Sequence, residues 1–167
     1  TSAPTTSLAP KLVGVAPEVV EWRVGTESEE RLFSGGVGPY VATVADGRLP
    51  AGILLGERGE IVGNPSVSGL FEVTVHITDA AGQTITQPLT IIVKEYWVIT
   101  ANGGSVTVVV TGESVGFFSA LQASGYEPAE VIRGGPLVFE VVFTPVVGDE
   151  LSWVRCEVVE GVVCTSL

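Results

Sequence analysis

Methionine is absent from these 167 residues, histidine occurs once, cysteine twice, and lysine and arginine together fill only 8 positions. Each scarcity removes a class of chemistry. A single histidine, His76, with no nucleophile-elbow sequence around any serine, leaves no partner set for a hydrolytic triad. Two cysteines with no histidine near them do not make a zinc site. Nineteen acidic residues against 8 basic ones give a net charge of −11, so nucleic-acid phosphates and anionic lipid surfaces are repelled and no nucleic-acid partner is expected. No Gly-x-x-x-x-Gly-Lys loop is present, and no cofactor is assigned. No apolar run approaches the ~20 residues of a membrane-spanning helix. Carboxylates are abundant, but no spacing isolates an acid pair for glycoside hydrolysis, so no catalytic residue is assigned and the chain reads as non-enzymatic.

Glycine is plentiful, at 21 positions, as is proline at 10, beside an apolar fraction of 46%. Glycine permits positive φ and proline fixes φ, so this composition marks corners between many short strands better than helices. The length suits one large or two small domains, with apolar residues enough for two cores. Period-two alternation is clearest where Phe71, Val73, Val75 and Ile77 interleave with Glu72, Thr74, His76 and Thr78. That pattern predicts a strand burying Val73, Val75 and Ile77 and turning His76 to water. Asp79-Ala80-Ala81-Gly82 then reverses the chain, and Gln83 to Val93 returns as a second strand. The expected class is all-β, two tandem β-sandwich domains.

Around this hairpin stand corner sequences in a fixed order: Gly38 to Tyr40, Gly47 to Ile53 (Gly-Arg-Leu-Pro-Ala-Gly-Ile), Gly59 to Pro65 (Gly-Glu-Ile-Val-Gly-Asn-Pro), Gly69 to Val75 and Thr78 to Gly82. In order and spacing they resemble the putative immunoglobulin domain family of bacterial surface and bacteriophage proteins, relatives of cadherin-like domains. Ile53 stands where that family usually has Leu, and Asn64 where Thr is common; neither disturbs the fold. The resemblance covers about residues 15–93, roughly half of the chain, and no family is recognised in the second half. It implies a seven-stranded immunoglobulin-like sandwich with an adhesive or spacer role and carries no catalytic residues; fold alone does not fix function. Cadherin relatives hold calcium between domains with clustered carboxylates, and calcium wants six to eight oxygens. Here Asp79 is alone in its turn and no dense Asp/Asn cluster stands at the junction, so Asp79 is expected to cap its own turn and no metal ligand is assigned.

Taken in order, the chain divides into an extended arm over 1–10, an immunoglobulin-like sandwich over 11–94 and a second, smaller acidic β domain over 95–167. The arm is rich in Thr, Ser, Ala and Pro and buries little apolar surface of its own. It either docks on a partner, with Thr1, Ser2, Pro4, Leu8 and Pro10 as contact residues, or packs along its own domain as a first strand. Nothing at the start of the chain reads as a basic-then-apolar leader, and Thr1 is a small residue of the kind left when an initiator methionine is removed; a protein made and kept in the cytosol fits, as does a secreted protein whose leader is gone. Glu27, Glu29 and Glu30 read as a charged strand edge that blocks strand addition. One strand is expected to end at Lys94-Glu95 and another to begin at Tyr96, with almost no linker and hence a stiff junction.

From Glu95 onward there are nine acidic and two basic residues. Ser114 to Ser124 fits both a helix capped by Ser114 and an alternating strand, and the surrounding context favours the strand. Cys156 and Cys164 bracket a hairpin turning at Glu160-Gly161, and a loop of Val159 to Gly161 sets them opposite one another, so a disulfide is expected. Three functions follow. The first is a structural subunit of an assembly, most concretely a bacteriophage virion protein (capsid decoration, fibre or tail), oligomeric in its particle. The second is a secreted or cell-surface adhesion or spacer module. The third is a carbohydrate-binding module resting on Tyr96, Trp97 and Tyr126, with Trp22, Tyr40 and Trp153 as further rings.

Overall fold

The computed structural model describes residues 9–167, all of them strand, turn or irregular chain with no helix. They form two compact units, one running to Ser66 and taking in Leu70–Val93, the other made of Val67–Gly69 and Lys94–Leu167. In the first unit lie β1 (Val13–Gly14), β2 (Val19–Arg23), β3 (Ser28–Arg31), β4 (Phe33–Ser34), β5 (Val41–Gly47), β6 (Ile53–Leu55), β7 (Glu60–Gly63), β8 (Gly69–Thr78) and the first part of β9 (Thr84–Ala101). The strands order as β5-β8-β9 with β2 on β9, facing β3-β7-β6, and β1 pairs with β4. Between these sheets lies one apolar core.

β8 is the clearest case of sequence dictating packing. Val73, Val75 and Ile77 are buried, as the alternation requires, while His76 is half-buried on the other face with Nδ1 3.4 Å from Thr86 Oγ1. Leu32, Ile61, Leu89, Ile91 and Val93 close the same core. Each such side chain taken fully out of water contributes about 1.5–3 kcal/mol. β5 pairs antiparallel with β8 from Val41↔Thr78 to Gly47↔Val73, with one bulge after Val44. Gly47 ends that strand at φ +74°, where a Cβ would stand 2.0 Å from the Glu72 carbonyl oxygen; only glycine fits there. The acidic edge is β3, which carries Glu29 and Glu30 and lies at the end of its sheet.

The division into units falls at Val93/Lys94, but the strand end expected at Lys94-Glu95 is not there. A single 18-residue strand, β9, runs through both positions. The side-chain parity that buries Leu89, Ile91 and Val93 in the first core continues without a slip to Trp97, Ile99 and Ala101, which pack on the second. A charged pair at half-exposed positions interrupts hydrophobicity without interrupting the backbone ladder.

The second unit adds β10 (Gly104–Thr111), β11 (Ser114–Gln122), β12 (Glu130–Arg133), β13 (Val138–Phe143), β14 (Ser152–Val158) and β15 (Val162–Ser166). One sheet is β9-β10-β11 and the other β12-β13-β14-β15, with Val106, Val108, Val110, Phe139, Val141, Phe143, Val154 and Cys156 between them. The Ser114–Gln122 stretch is strand, because its Val115 and Ala120 meet this core at a period of two broken by one bulge. β10 turns into β11 through Gly112 at φ +59°, the positive φ that a two-residue hairpin demands. Ser152, buried in the core, is satisfied: Gly103 N donates to its Oγ at 2.8 Å and its hydroxyl donates to the Leu167 carbonyl. Cys156 and Cys164 are directly opposed in the β14–β15 ladder with Cα atoms 4.0 Å apart and are joined by a disulfide.

Candidate functional site

The most highly bonded side chain of the first unit is Asp79, in the β8–β9 turn and 4% exposed. Its Oδ1 accepts from the backbone amides of Ala81 (3.0 Å) and Gln83 (2.7 Å); its Oδ2 accepts from the Val37 amide (2.9 Å) and from Gln83 Nε2 (2.9 Å). Burial alone raises the pKa of this carboxyl, but the donors from Val37, Gln83 and Ala81 outweigh it and hold the group below its ordinary value. Asp79 therefore caps its own turn, as the sequence suggested, and also ties down the loop Gly35 to Tyr40, which the sequence did not reveal. That loop is fixed at three further points. Ala80 N donates to the Val37 carbonyl (2.8 Å), Tyr40 Oη donates to the Gly35 carbonyl (2.9 Å), and the Tyr40 ring packs at 4.6 Å on Phe33. Gly38-Pro39 is a cis peptide within it.

Gln83 extends the network to the start of the described chain. Its Nε2 also donates to the Pro10 carbonyl (2.9 Å), and its Oε1 accepts from the Leu12 amide (3.2 Å). A carboxamide thus offers the Pro10–Leu12 backbone the pair of hydrogen bonds that a neighbouring strand would offer. With Leu12 buried and Val15 N bonded to the Leu32 carbonyl (3.0 Å), this stretch packs along its own unit. Of the expected arm contacts, Pro10 lies here; Thr1, Ser2, Pro4 and Leu8 lie outside the described residues.

Asp79, Ala80, Ala81 and Tyr40 of this network lie in the recurring corner sequences. The model for the Putative Ig domain matches residues 2–94, more than half of the chain. The protein belongs to this family. No curated protein matches it. Among solved structures it is similar to a putative alpha-galactosidase/melibiase of Bacteroides fragilis (27% identity, TM-score 0.42, 51% of this chain and 18% of that one). A second putative alpha-galactosidase of the same organism is similar at 21% identity and TM-score 0.41, over 56% of this chain and 19% of that one. Extracellular cadherin domains 1–4 of protocadherin gamma B7 are similar at 13% identity and TM-score 0.39, over 95% of this chain and 48% of that one. The chain thus spans less than a fifth of the two galactosidases and about half of the cadherin fragment.

Within the Putative Ig unit, the corner sequences supply turns and close backbone approaches. Thr78 to Gly82 supplies the Asp79 cap, Gly38 to Tyr40 the second half of the loop that Asp79 holds through Val37, and Gly47 to Ile53 and Gly59 to Pro65 the close backbone approaches between neighbouring strands. In the second unit the three rings proposed for carbohydrate do not share a surface. Trp97 and Tyr126 pack against the core, whereas Tyr96, adjacent to Trp97 on β9, points to the opposite face and meets Phe118 edge-on at 5.0 Å. Trp22 and Tyr40 pack on the first core, and Trp153 is half-buried between the inward positions Ser152 and Val154. Among the described residues no group of three or more His, Cys, Asp or Glu side chains is placed to hold a metal ion, and no helix is long and apolar enough to cross a membrane.

Proposed function

We propose that the protein is a non-enzymatic structural subunit of a larger assembly, most concretely a bacteriophage virion protein of the decoration, fibre or tail kind. Membership of the Putative Ig domain family carries the reading, and Asp79 in the corner Thr78 to Gly82 is spent on holding a turn and a loop rather than on presenting a reactive group. Its partners in this reading are protein subunits, and its location is the particle. In this reading residues 1–10 make the contact with a neighbouring subunit. The test is deletion of 1–10 followed by mass spectrometry of purified particles: the truncated chain should fold and yet fail to incorporate. Undiminished occupancy of the truncated chain would refute it. The Cys156–Cys164 disulfide favours a second reading, a secreted or cell-surface adhesion or spacer module, since such bonds persist in oxidising surroundings. Recovery of the protein from the cell surface and never from particles would select that reading, with cell-surface carbohydrate as its candidate ligand.

A further inference from the structure

Asparagine occurs twice in this chain, as Asn64 and Asn102, and the residue after each governs how durable its side chain is. An asparagine amide is lost when the backbone nitrogen of the next residue attacks its side-chain carbonyl carbon. A following glycine, having no Cβ, hinders that attack least. Asn64 is followed by Pro65, whose nitrogen carries no hydrogen to give up. Asn102 is followed by Gly103, the pairing most open to attack, and the two residues make the turn that sets Ala101 of β9 opposite Gly104 of β10. The glycine is obligatory there, because a Cβ at position 103 would stand 2.3 Å from Phe143 Cβ.

The nitrogen that would attack is held. Gly103 is buried; its N–H donates to Ser152 Oγ at 2.8 Å and its carbonyl accepts from Ala123 N at 2.7 Å. Ser152 is in turn fixed, since its hydroxyl donates to the Leu167 carbonyl and Leu167 exchanges backbone bonds with Trp153 at 3.0 and 3.2 Å. Asn102 itself is exposed, so its amide meets water while the nitrogen that would attack it does not.

We propose that Asn102 is a latent deamidation site that Ser152 keeps closed. In the blocked reaction the Gly103 nitrogen gives its proton to solvent and bonds to Asn102 Cγ, the Cγ–Nδ2 bond breaks, and Nδ2 takes a proton from solvent and leaves as ammonia. One water then opens the five-membered imide at either carbonyl, releasing a proton and leaving aspartate or the isomer whose backbone runs through the side chain. Nothing is oxidised or reduced. The attack requires the Gly103 N–H to leave Ser152 and the peptide to rotate, so the opening of that one hydrogen bond gates it. Either product puts a carboxylate at position 102, on the depression that Glu150 also lines, and the isomer lengthens a two-residue turn by one carbon. Ser152 is thus a positioning residue for the Gly103 amide. The proposal concerns the purified chain and does not depend on the particle reading.

Incubation of the full chain at mildly alkaline pH, followed by peptide mass mapping of position 102, tests it. The folded wild type should convert at least about tenfold more slowly than the same chain in urea. Ser152→Ala removes the acceptor and should speed conversion of the folded chain about five- to tenfold, the equivalent of one ordinary hydrogen bond, while leaving the rate in urea unchanged. Val154→Ala loosens the same core without touching the Gly103 amide and should convert at the wild-type rate. A check that needs no variant follows the wild type through sub-denaturing urea. Conversion should rise in step with hydrogen exchange of the Gly103 amide and ahead of exchange at Val108 in the core. Conversion that tracks Val108 instead, or a Ser152→Ala rate no greater than that of Val154→Ala, would overturn the proposal and assign the protection to the fold as a whole.

Discussion

The carboxylate of Asp79 accepts the backbone amide of Val37 at 2.9 Å across 42 positions of sequence, on the same oxygen that accepts from the Gln83 side chain. One side chain therefore closes a turn and anchors a distant loop. Removing it opens both, and four donors lose their acceptor together.

Asp79→Asn should lower the urea midpoint of unfolding at neutral pH, more than Asp46→Asn does on exposed β5. The sign of the pH dependence follows from the lowered pKa. The stabilisation is complete above the ordinary value of 3.8 and is lost as pH falls through the depressed folded-state pKa. The gap between wild type and Asp79→Asn should thus stay constant from neutral pH to about 4 and narrow only below it. A gap that closes near neutrality would contradict this account.

Two glycines separate conformational strain from collision. Gly25 (φ +76°) has nothing within 4 Å of where an added methyl group would sit, whereas at Gly47 (φ +74°) that group would collide with the Glu72 carbonyl. Gly25→Ala should cost about 1–2 kcal/mol, the penalty of left-handed backbone alone. Gly47→Ala should cost roughly 3 kcal/mol or more, because the β5–β8 ladder must move as well. Chemical denaturation of the two variants side by side decides it; equal losses would show that the ladder yields without resistance.

Replacing both cysteines, as Cys156→Ala with Cys164→Ala, should remove about 2–3 kcal/mol by the loop-entropy relation for a short closed loop. The loss should show first as faster amide exchange across Val162–Ser166, since β15 is the end strand of its sheet. Unchanged exchange there would mean that the ladder alone suffices to hold the strand.

Gln83→Ala deletes both bonds to the Pro10–Leu12 backbone. Protection of the Leu12 amide should fall about five- to tenfold, the equivalent of one ordinary hydrogen bond, while the amides of Val73, Val75 and Ile77 keep theirs. If the β8 amides lost protection equally, Gln83 would be supporting the whole sandwich rather than its first segment.

What could be read in the sequence was what depends on neighbours a few positions apart. The burial of Val73, Val75 and Ile77, the opposition of Cys156 and Cys164 about Gly161, and the strand from Ser114 all rest on period-two order or on turn chemistry. The misplaced strand break at Lys94-Glu95 came from reading charge as punctuation, although the alternation of Ile91, Val93, Trp97 and Ile99 runs straight through it. The second role of Asp79 and the clamp made by Gln83 were hidden for a different reason. Their partners lie 42 and 71 positions away, and no local pattern encodes such a distance.

The 71 positions between Leu12 and Gln83 are also an interval of time. At about 5–20 residues per second, a ribosome that has made Leu12 reaches Gln83 only some 4–14 s later. Throughout that interval the first segment of the sandwich has been synthesised and its clamp has not. Whatever binds this segment during synthesis, whether a chaperone or a finished neighbour, meets no competition from the Gln83 clamp.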